Sequence, residues 1–205
     1  MELKDKVTEL KGVGPKKAEA LEKLGIKTLE DMICFFPRDY EDRRNVVKIA
    51  QLKADVAAVI RGKVDLIVSD RYKYGRKQLL RLLISDDTGA LEIVFFNAKY
   101  LMSSFKKGEE YIFYGKPQMN FGKLQLVHPE FSRAGEELKG IMPVYPLTKG
   151  ISQREMRDWQ RSLKTLHDKA EDFLAERTIA ENRLCSLSYA LENIHFPQEK
   201  QKLLE

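Results

Sequence analysis

The feature that most constrains the fold is the period-two alternation between about Val56 and Phe131, broken at intervals by turn residues. Leu91, Ile93 and Phe95 share one parity and suit a core face, while Glu92 and Phe96 fall on the other, wetter side. Five strands are expected: Val56–Val68, rich in β-branched residues, then Gln78–Ser85, Ala90–Phe96, Glu110–Lys116 and Lys123–His128. Asp86-Asp87-Thr88-Gly89 reads as the turn between the second and third, and Asn120-Phe121-Gly122 as the turn of a final hairpin. Asn97–Phe105 suits a short helix that Lys107-Gly108 ends.

Three strands, a helix and two strands is the order of an OB-fold barrel. Such a barrel binds oligonucleotides on the face of its second and third strands and with the loops after strands one and four. The flanks carry helical patterns, so the chain is expected to be α+β: residues 1–52 helical, 53–135 barrel, 136–205 linker and C-terminal helices. At the N-terminus, Leu10-Lys11-Gly12-Val13-Gly14-Pro15 separates a brief helix from a second of about Pro15–Leu24, with Gly25 at its C-cap. Two glycines before a helix start form a helix-hairpin-helix-like nest of N–H groups to which Lys16 and Lys17 add charge. A plain tight turn between packed helices is the alternative. Thr28 with Asp31 forms a capping box, Pro37 stops that helix, and Arg38–Arg44 reads as charged and extended.

Pro143-Val144-Tyr145-Pro146 fits an extended connector better than a strand interior. Ser152 and Glu155 then open a helix with Met156, Trp159, Leu163, Leu166, Phe173 and Leu174 near one face. Thr178 and Glu181 repeat the box before Leu184, Leu187, Leu191 and Ile194, and the tail after Pro197 reads as a further helix start.

The 205 residues are 43% hydrophobic and 33% charged, the balance of a folded chain with a busy surface. A formal net charge of +5 is compatible with phosphate partners and becomes informative only through clustering. Arg71, Lys73, Arg76 and Lys77 crowd one loop with Tyr72 and Tyr74, the interleaving of cations and rings that single-strand binders use. Phe121 and Lys123 belong to the loop after the fourth strand. Phe96 leaves the third strand, and Tyr100 sits four residues on, a neighbour if the chain turns helical after Asn97. These residues are expected to converge on one nucleic-acid-binding face. The alternatives are an ordinary hydrophilic loop and aromatics covering a core edge.

Catalytic patterns are absent from the sequence. No Gly-x-x-x-x-Gly-Lys-Ser/Thr occurs, and His128, His167 and His195 are scattered, as expected of surface or packing histidines. Cys34 and Cys185 lie among apolar neighbours and are expected to be buried and quiet. Neither a signal peptide nor an apolar run of ~18 residues is present, so a cytoplasmic chain with no membrane contact is expected. No enzyme activity, metal or cofactor of its own is expected.

In order along the chain, Leu10-Lys11-Gly12-Val13-Gly14-Pro15, Phe36-Pro37-Arg38-Asp39-Tyr40-Glu41-Asp42-Arg43, Ile84-Ser85-Asp86-Asp87-Thr88-Gly89, Phe95-Phe96-Asn97, His128-Pro129-Glu130 and Pro143 to Ile151 resemble the N-terminal wedge region of RecG-type ATP-dependent DNA helicases. The resemblance covers nearly the whole chain. It implies a wedge for branched DNA, replication forks and Holliday junctions, within DNA repair and recombination. It further implies C-terminal motor lobes in the parent protein that use ATP and Mg, and a monomer. It places Phe96 and Tyr100 at aromatic positions that stack on unpaired template bases. Tyr72 and Tyr74 exceed the family's pattern in this loop. A stand-alone single-stranded DNA or RNA binder, or a protein-interaction adaptor, are the other classes the barrel and the C-terminal helices allow.

Overall fold

The computed structural model describes residues 1–71, 78–134 and 140–198. In chain order the elements are α1 (Pro15–Glu22), α2 (Leu29–Ile33), β1 (Asp39–Asp42), β2 (Val46–Val47), β3 (Ala58–Arg71), β4 (Gln78–Ser85), β5 (Ala90–Phe96), β6 (Glu110–Gly115), β7 (Pro117–Asn120), β8 (Lys123–Val127), β9 (Glu130–Arg133), β10 (Ile141–Val144), α3 (Gln153–Ser162), α4 (Glu176–Asn182) and α5 (Leu187–His195). They fall into two compact units, Arg43–Gly140 and the two chain ends Met1–Asp42 with Ile141–Glu205. The N- and C-terminal helices, expected as separate sections, therefore share one body. Apolar side chains from both ends supply its core: Leu21, Leu29 and Met32 lie in one cluster with Tyr145, Met156 and Leu163.

In the Arg43–Gly140 unit, β3 pairs antiparallel with β4, β4 with β5, and β5 parallel with β8. β6 pairs with the other edge of β3, and after the single residue Lys116 the chain resumes as β7 against β8. This closes the ring, so β3, β4, β5, β6 with β7, and β8 are the five strands of an OB barrel, and no long edge is left open. The final hairpin is β7–β8 rather than the expected pairing of Glu110–Lys116 with Lys123–His128, because the fourth strand bends at Lys116 and spends its first half on β3. An irregularity in β3 between Val64 and Leu66 gives the longest strand the bend that closure requires. Gly62, opposite Tyr111, leaves room for the core side chain Ile84: a Cβ there would stand 2.9 Å from Ile84 Cδ1.

The barrel interior is aromatic at one end, where Phe105 lies 4.5 Å from Phe131 and 5.7 Å from Phe95 between ring centroids. The buried Tyr111 hydroxyl donates to Ser104 O at 3.0 Å and accepts from Lys106 N at 2.9 Å. A fully buried ring of this kind contributes about 1.5–3 kcal/mol. Asp86, in the β4–β5 turn, accepts from the Thr88 hydroxyl and from the backbone N–H groups of Ile49, Thr88 and Gly89. Burial pushes its carboxyl up, but these bonds together prevail and hold it at about 2. The turn chemistry expected for this tetrapeptide is what the structure contains.

In the helical unit, capping boxes form at Thr28–Asp31 and Ser152–Glu155 as the spacing predicts. The first helix is only a 3-10 turn, Val7–Glu9. β1 and β10 make a two-stranded antiparallel ribbon, with Tyr40 opposite Pro143, so Pro143 and Val144 of the expected connector are strand, while Tyr145 and Pro146 lie beyond it. A ribbon tolerates Pro143 because each strand has a free edge. Phe173 and Leu174 lie outside α3, and Phe173 is exposed, because the helix gives way at Leu163 to a 3-10 segment, Lys164–Lys169. Thr178 lies inside α4, not at its N-cap; Arg183 in the left-handed region ends α4, and Ser186 caps α5 by accepting from Tyr189 N. Cys34 and Cys185 are both exposed, against expectation, since each lies at or beyond a helix end rather than on an apolar stripe.

The buried Tyr145 hydroxyl and His195 ring are bonded through two contacts of that histidine. His195 Nε2 lies 2.7 Å from Ile33 O, which can only accept, so Nε2 carries the proton and Nδ1 accepts from the Tyr145 hydroxyl at 2.7 Å. Burial lowers His195 to about 4, outweighing its bond to Ile33. His167, its ring centroid 5.7 Å from that of His195, is also buried and shifted down by burial.

Candidate nucleic-acid interface

The outward aromatic predicted at the end of β5 is held by backbone chemistry. Phe96 pairs with Leu79 at the close of the sheet, and its N–H donates to His128 Nε2 at 2.9 Å. His128 itself has φ +48°, which curls the chain after β8 back over β5, and its N–H donates to Val94 O at 2.9 Å. Its imidazole stands 5.7 Å from the Phe96 ring and edge-on to Phe95 at 5.8 Å. Phe95 is buried and Phe96 is 45% exposed, so alternation sends the two neighbours to opposite faces. His128 is thus a positioning residue that the scatter of histidines in the sequence concealed.

Asn97, φ +54°, then reverses the chain, Ala98 is buried, and a 3-10 helix spans Lys99–Ser104. Tyr100 on it is 76% exposed. Phe96 and Tyr100 therefore flank a turn. They are not the i,i+4 neighbours on a helix that the spacing allowed, because Phe96 stays in the strand and the left-handed Asn97 separates them.

At the other aromatic station, Phe121 and Gly122 make the two-residue turn between β7 and β8, with φ of +45° and +77°. Two positive φ values are the requirement of the tightest hairpin turns. Phe121 is 100% exposed and Lys123 is exposed beside it. Asn120 Nδ2 donates across the turn to Gln125 Oε1 at 3.1 Å. Phe121, Lys123 and Leu124 line a groove of about 720 Å³ together with Ile49, Leu83 and Leu91.

The strand register decides how these stations relate. Glu92 is level with Gln125 on β8, so Lys123 is level with Ala90, at the start of β5, while Phe96 ends it. The separation along the strand is roughly 20 Å at ~3.3 Å per residue. The expected convergence is thus an arrangement at opposite ends of one outward face. Between the ends lie the exposed Leu66 and Leu83, adjacent across β3 and β4, and the pair Arg81–Glu92 at 3.6 Å.

Arg71 ends β3 opposite Gln78, at the Phe96 end of the barrel. Tyr72, Lys73, Tyr74, Arg76 and Lys77 lie outside the described residues. In the helical unit, Lys16 is exposed, whereas Lys17 Nζ lies 2.5 Å from Glu155 Oε1 and 5.7 Å from the Trp159 ring centre. Lys17 is held within the fold, because the capping carboxylate of α3 is its nearest anion. Among the described residues no group of three metal-binding side chains occurs, and no helix is long and apolar enough to cross a membrane.

The sequence model of the RecG wedge domain matches residues 6–165. The ATP-dependent DNA helicase RecG of Thermotoga maritima is 32% identical over 204 residues, covering 97% of this chain and 26% of that protein. RecG of Escherichia coli K12 is 29% identical, over 93% of this chain and 28% of its own length. A solved structure of RecG bound to a three-way DNA junction matches 100% of this chain and 28% of its own, at 30% identity and a TM-score of 0.84. The chain thus spans about a quarter of the length of these relatives. With the barrel, the flanking helices and the sequence match agreeing over the same residues, the chain belongs to the RecG wedge domain family.

Proposed function

We propose that this chain is the branched-DNA-binding wedge of a fork-reversal helicase. It splits strands at the junction by stacking Phe96 and Tyr100 on bases that lose their partners. The observation that carries this reading is the Phe96 end of β5: a ring 45% exposed, its backbone tied to His128, with Tyr100 76% exposed just past the turn. Duplex opening exposes base faces, and an aromatic platform recovers ~1–3 kcal/mol per stacked base without asking for a sequence. Shape, not sequence, is then what the site reads. The RecG relative solved on a three-way junction supports the choice of branched DNA over linear DNA.

Phosphate contacts would come from Arg71, Lys73, Arg76, Lys77 and Lys123, and from Lys16 on the helical unit. Lys17 joins them only by leaving Glu155. ATP and Mg would be bound by motor lobes of the parent protein, which translocate on duplex while the wedge holds the branch; this chain as a monomer would supply no nucleotide chemistry.

Fluorescence anisotropy across a salt series tests the reading, comparing a three-way junction, linear duplex and single strand. Junction preference with affinity falling steeply as salt rises is the expected result. Single strand bound as tightly as the junction would instead make the chain a stand-alone single-strand binder. Absence of nucleic-acid binding would leave an interaction adaptor.

A further inference from the structure

Phe121 combines two costs that a purely structural turn would avoid. Its ring is wholly in solvent, and its φ of +45° belongs to a region that bulky side chains rarely adopt. Asn is the residue that favours this position before Gly, because it tolerates a positive φ. A strained, exposed aromatic on the rim of a groove is an observation from which function can be argued. The groove is of ligand size, with Leu83, Leu91 and Leu124 as apolar lining and Lys123 as an exposed cation. Asn120 and Gln125 add amide groups at its edge, and their mutual bond uses one donor and one acceptor, leaving the others for a ligand.

We infer that this groove is a second single-strand station, which takes one unpaired base against Phe121 while Lys123 meets the adjoining phosphate. The inference rests on the junction reading above and adds a site to it. A flat, partly polar occupant with one negative charge matches a ring, two amides and one lysine. The neighbouring acids are already engaged: Asp87 with Lys48 and Glu92 with Arg81, while Asp86 accepts backbone N–H groups. Because Phe121 and Phe96 lie at opposite ends of the outward face, a strand leaving the branch at Phe96 would cross that face to enter the groove at Leu83.

The test uses the whole 205-residue chain, with a fork carrying one single-stranded arm and the same fork with that arm paired. Phe121→Asn is the informative variant, since it relieves the backbone while removing the ring. The expected result is affinity roughly tenfold weaker for the single-stranded arm, unchanged affinity for the paired arm, and a melting temperature equal to or above wild type. Lys123→Ala should weaken the same arm a few-fold and flatten its salt dependence. If Phe121→Asn binds both forks as wild type does while Phe96→Ala/Tyr100→Ala loses junction binding, the second station is overturned and the junction reading stands. If wild type binds neither fork, both fall.

Discussion

Both units bury one set of rings and expose another, and they differ in how the exposed rings are arranged. In the helical unit Tyr145, Trp159 and His195 are buried with polar atoms on partners such as Ile33 O and Lys11 O. His167 is buried with neither ring nitrogen bonded among the described residues, and Phe36, Phe173 and Tyr189 are exposed. The barrel buries a comparable set, Phe95, Phe105, Tyr111 and Phe113, yet leaves Phe96, Tyr100 and Phe121 outside. Phe36, Phe173 and Tyr189 sit on three separate segments, after α2, before α4 and on α5, whereas Phe96 and Phe121 stand at the two ends of one outward sheet face. The difference is one of arrangement, exposed rings scattered over one body and set along a sheet in the other.

Substitutions should respect that division. Trp159→Ala removes a buried indole and its bond to Lys11 O, and should cost about 4 kcal/mol in chemical denaturation. Acid should act next. His195, at about 4 when folded against 6.5 unfolded, binds more protons in the unfolded state below pH 6.5. Its contribution is complete above pH 6.5 and is lost as pH falls toward 4, an effect on the order of 3 kcal/mol, to which His167 adds in the same direction. Protonating Nδ1 also removes the acceptor that the Tyr145 hydroxyl uses. Asp86 in the barrel is shifted down as well, but from 3.8, so its contribution is complete above pH 3.8 and fades only toward 2. Melting followed between pH 7 and 4.5 should therefore weaken the helical unit first, and His195→Gln should flatten that slope. Equal loss from both units would break the comparison.

Within the barrel, Gly62→Val should cost about 2 kcal/mol by driving a methyl into Ile84, while leaving the outward face intact. Thr28→Ala should be the mildest, about 1 kcal/mol, through loss of the N-cap bond to Asp31 N. Both are read from the denaturation midpoint.

Local chemistry made much of this legible in advance. The parity of Leu91, Ile93 and Phe95 located the core face, and Asp86–Gly89 and the two capping boxes announced their turns and helix starts. What depended on distant residues did not show. The joining of chain ends into one core rests on contacts between residues more than a hundred positions apart, such as Gln160 Nε2 to Met32 O at 2.7 Å. Pro143 looked like a strand breaker because its partner, Tyr40, is equally remote. For the candidate site, the exposure of Phe96 and Phe121 followed from alternation and turn type. Their separation did not, since the parallel register of β5 and β8 is set by how the fourth strand bends at Lys116. The role of His128 was hidden for the same reason, its partner Phe96 N being a backbone group on another strand.

The most direct measurement compares wild type with Phe96→Ala/Tyr100→Ala for both melting temperature and three-way-junction affinity at fixed moderate salt. The account predicts a melting temperature within a degree or two of wild type and junction binding weakened at least tenfold, as expected for lost stacking on exposed bases. A variant that binds the junction like wild type, or that loses binding only because it unfolds, would contradict it.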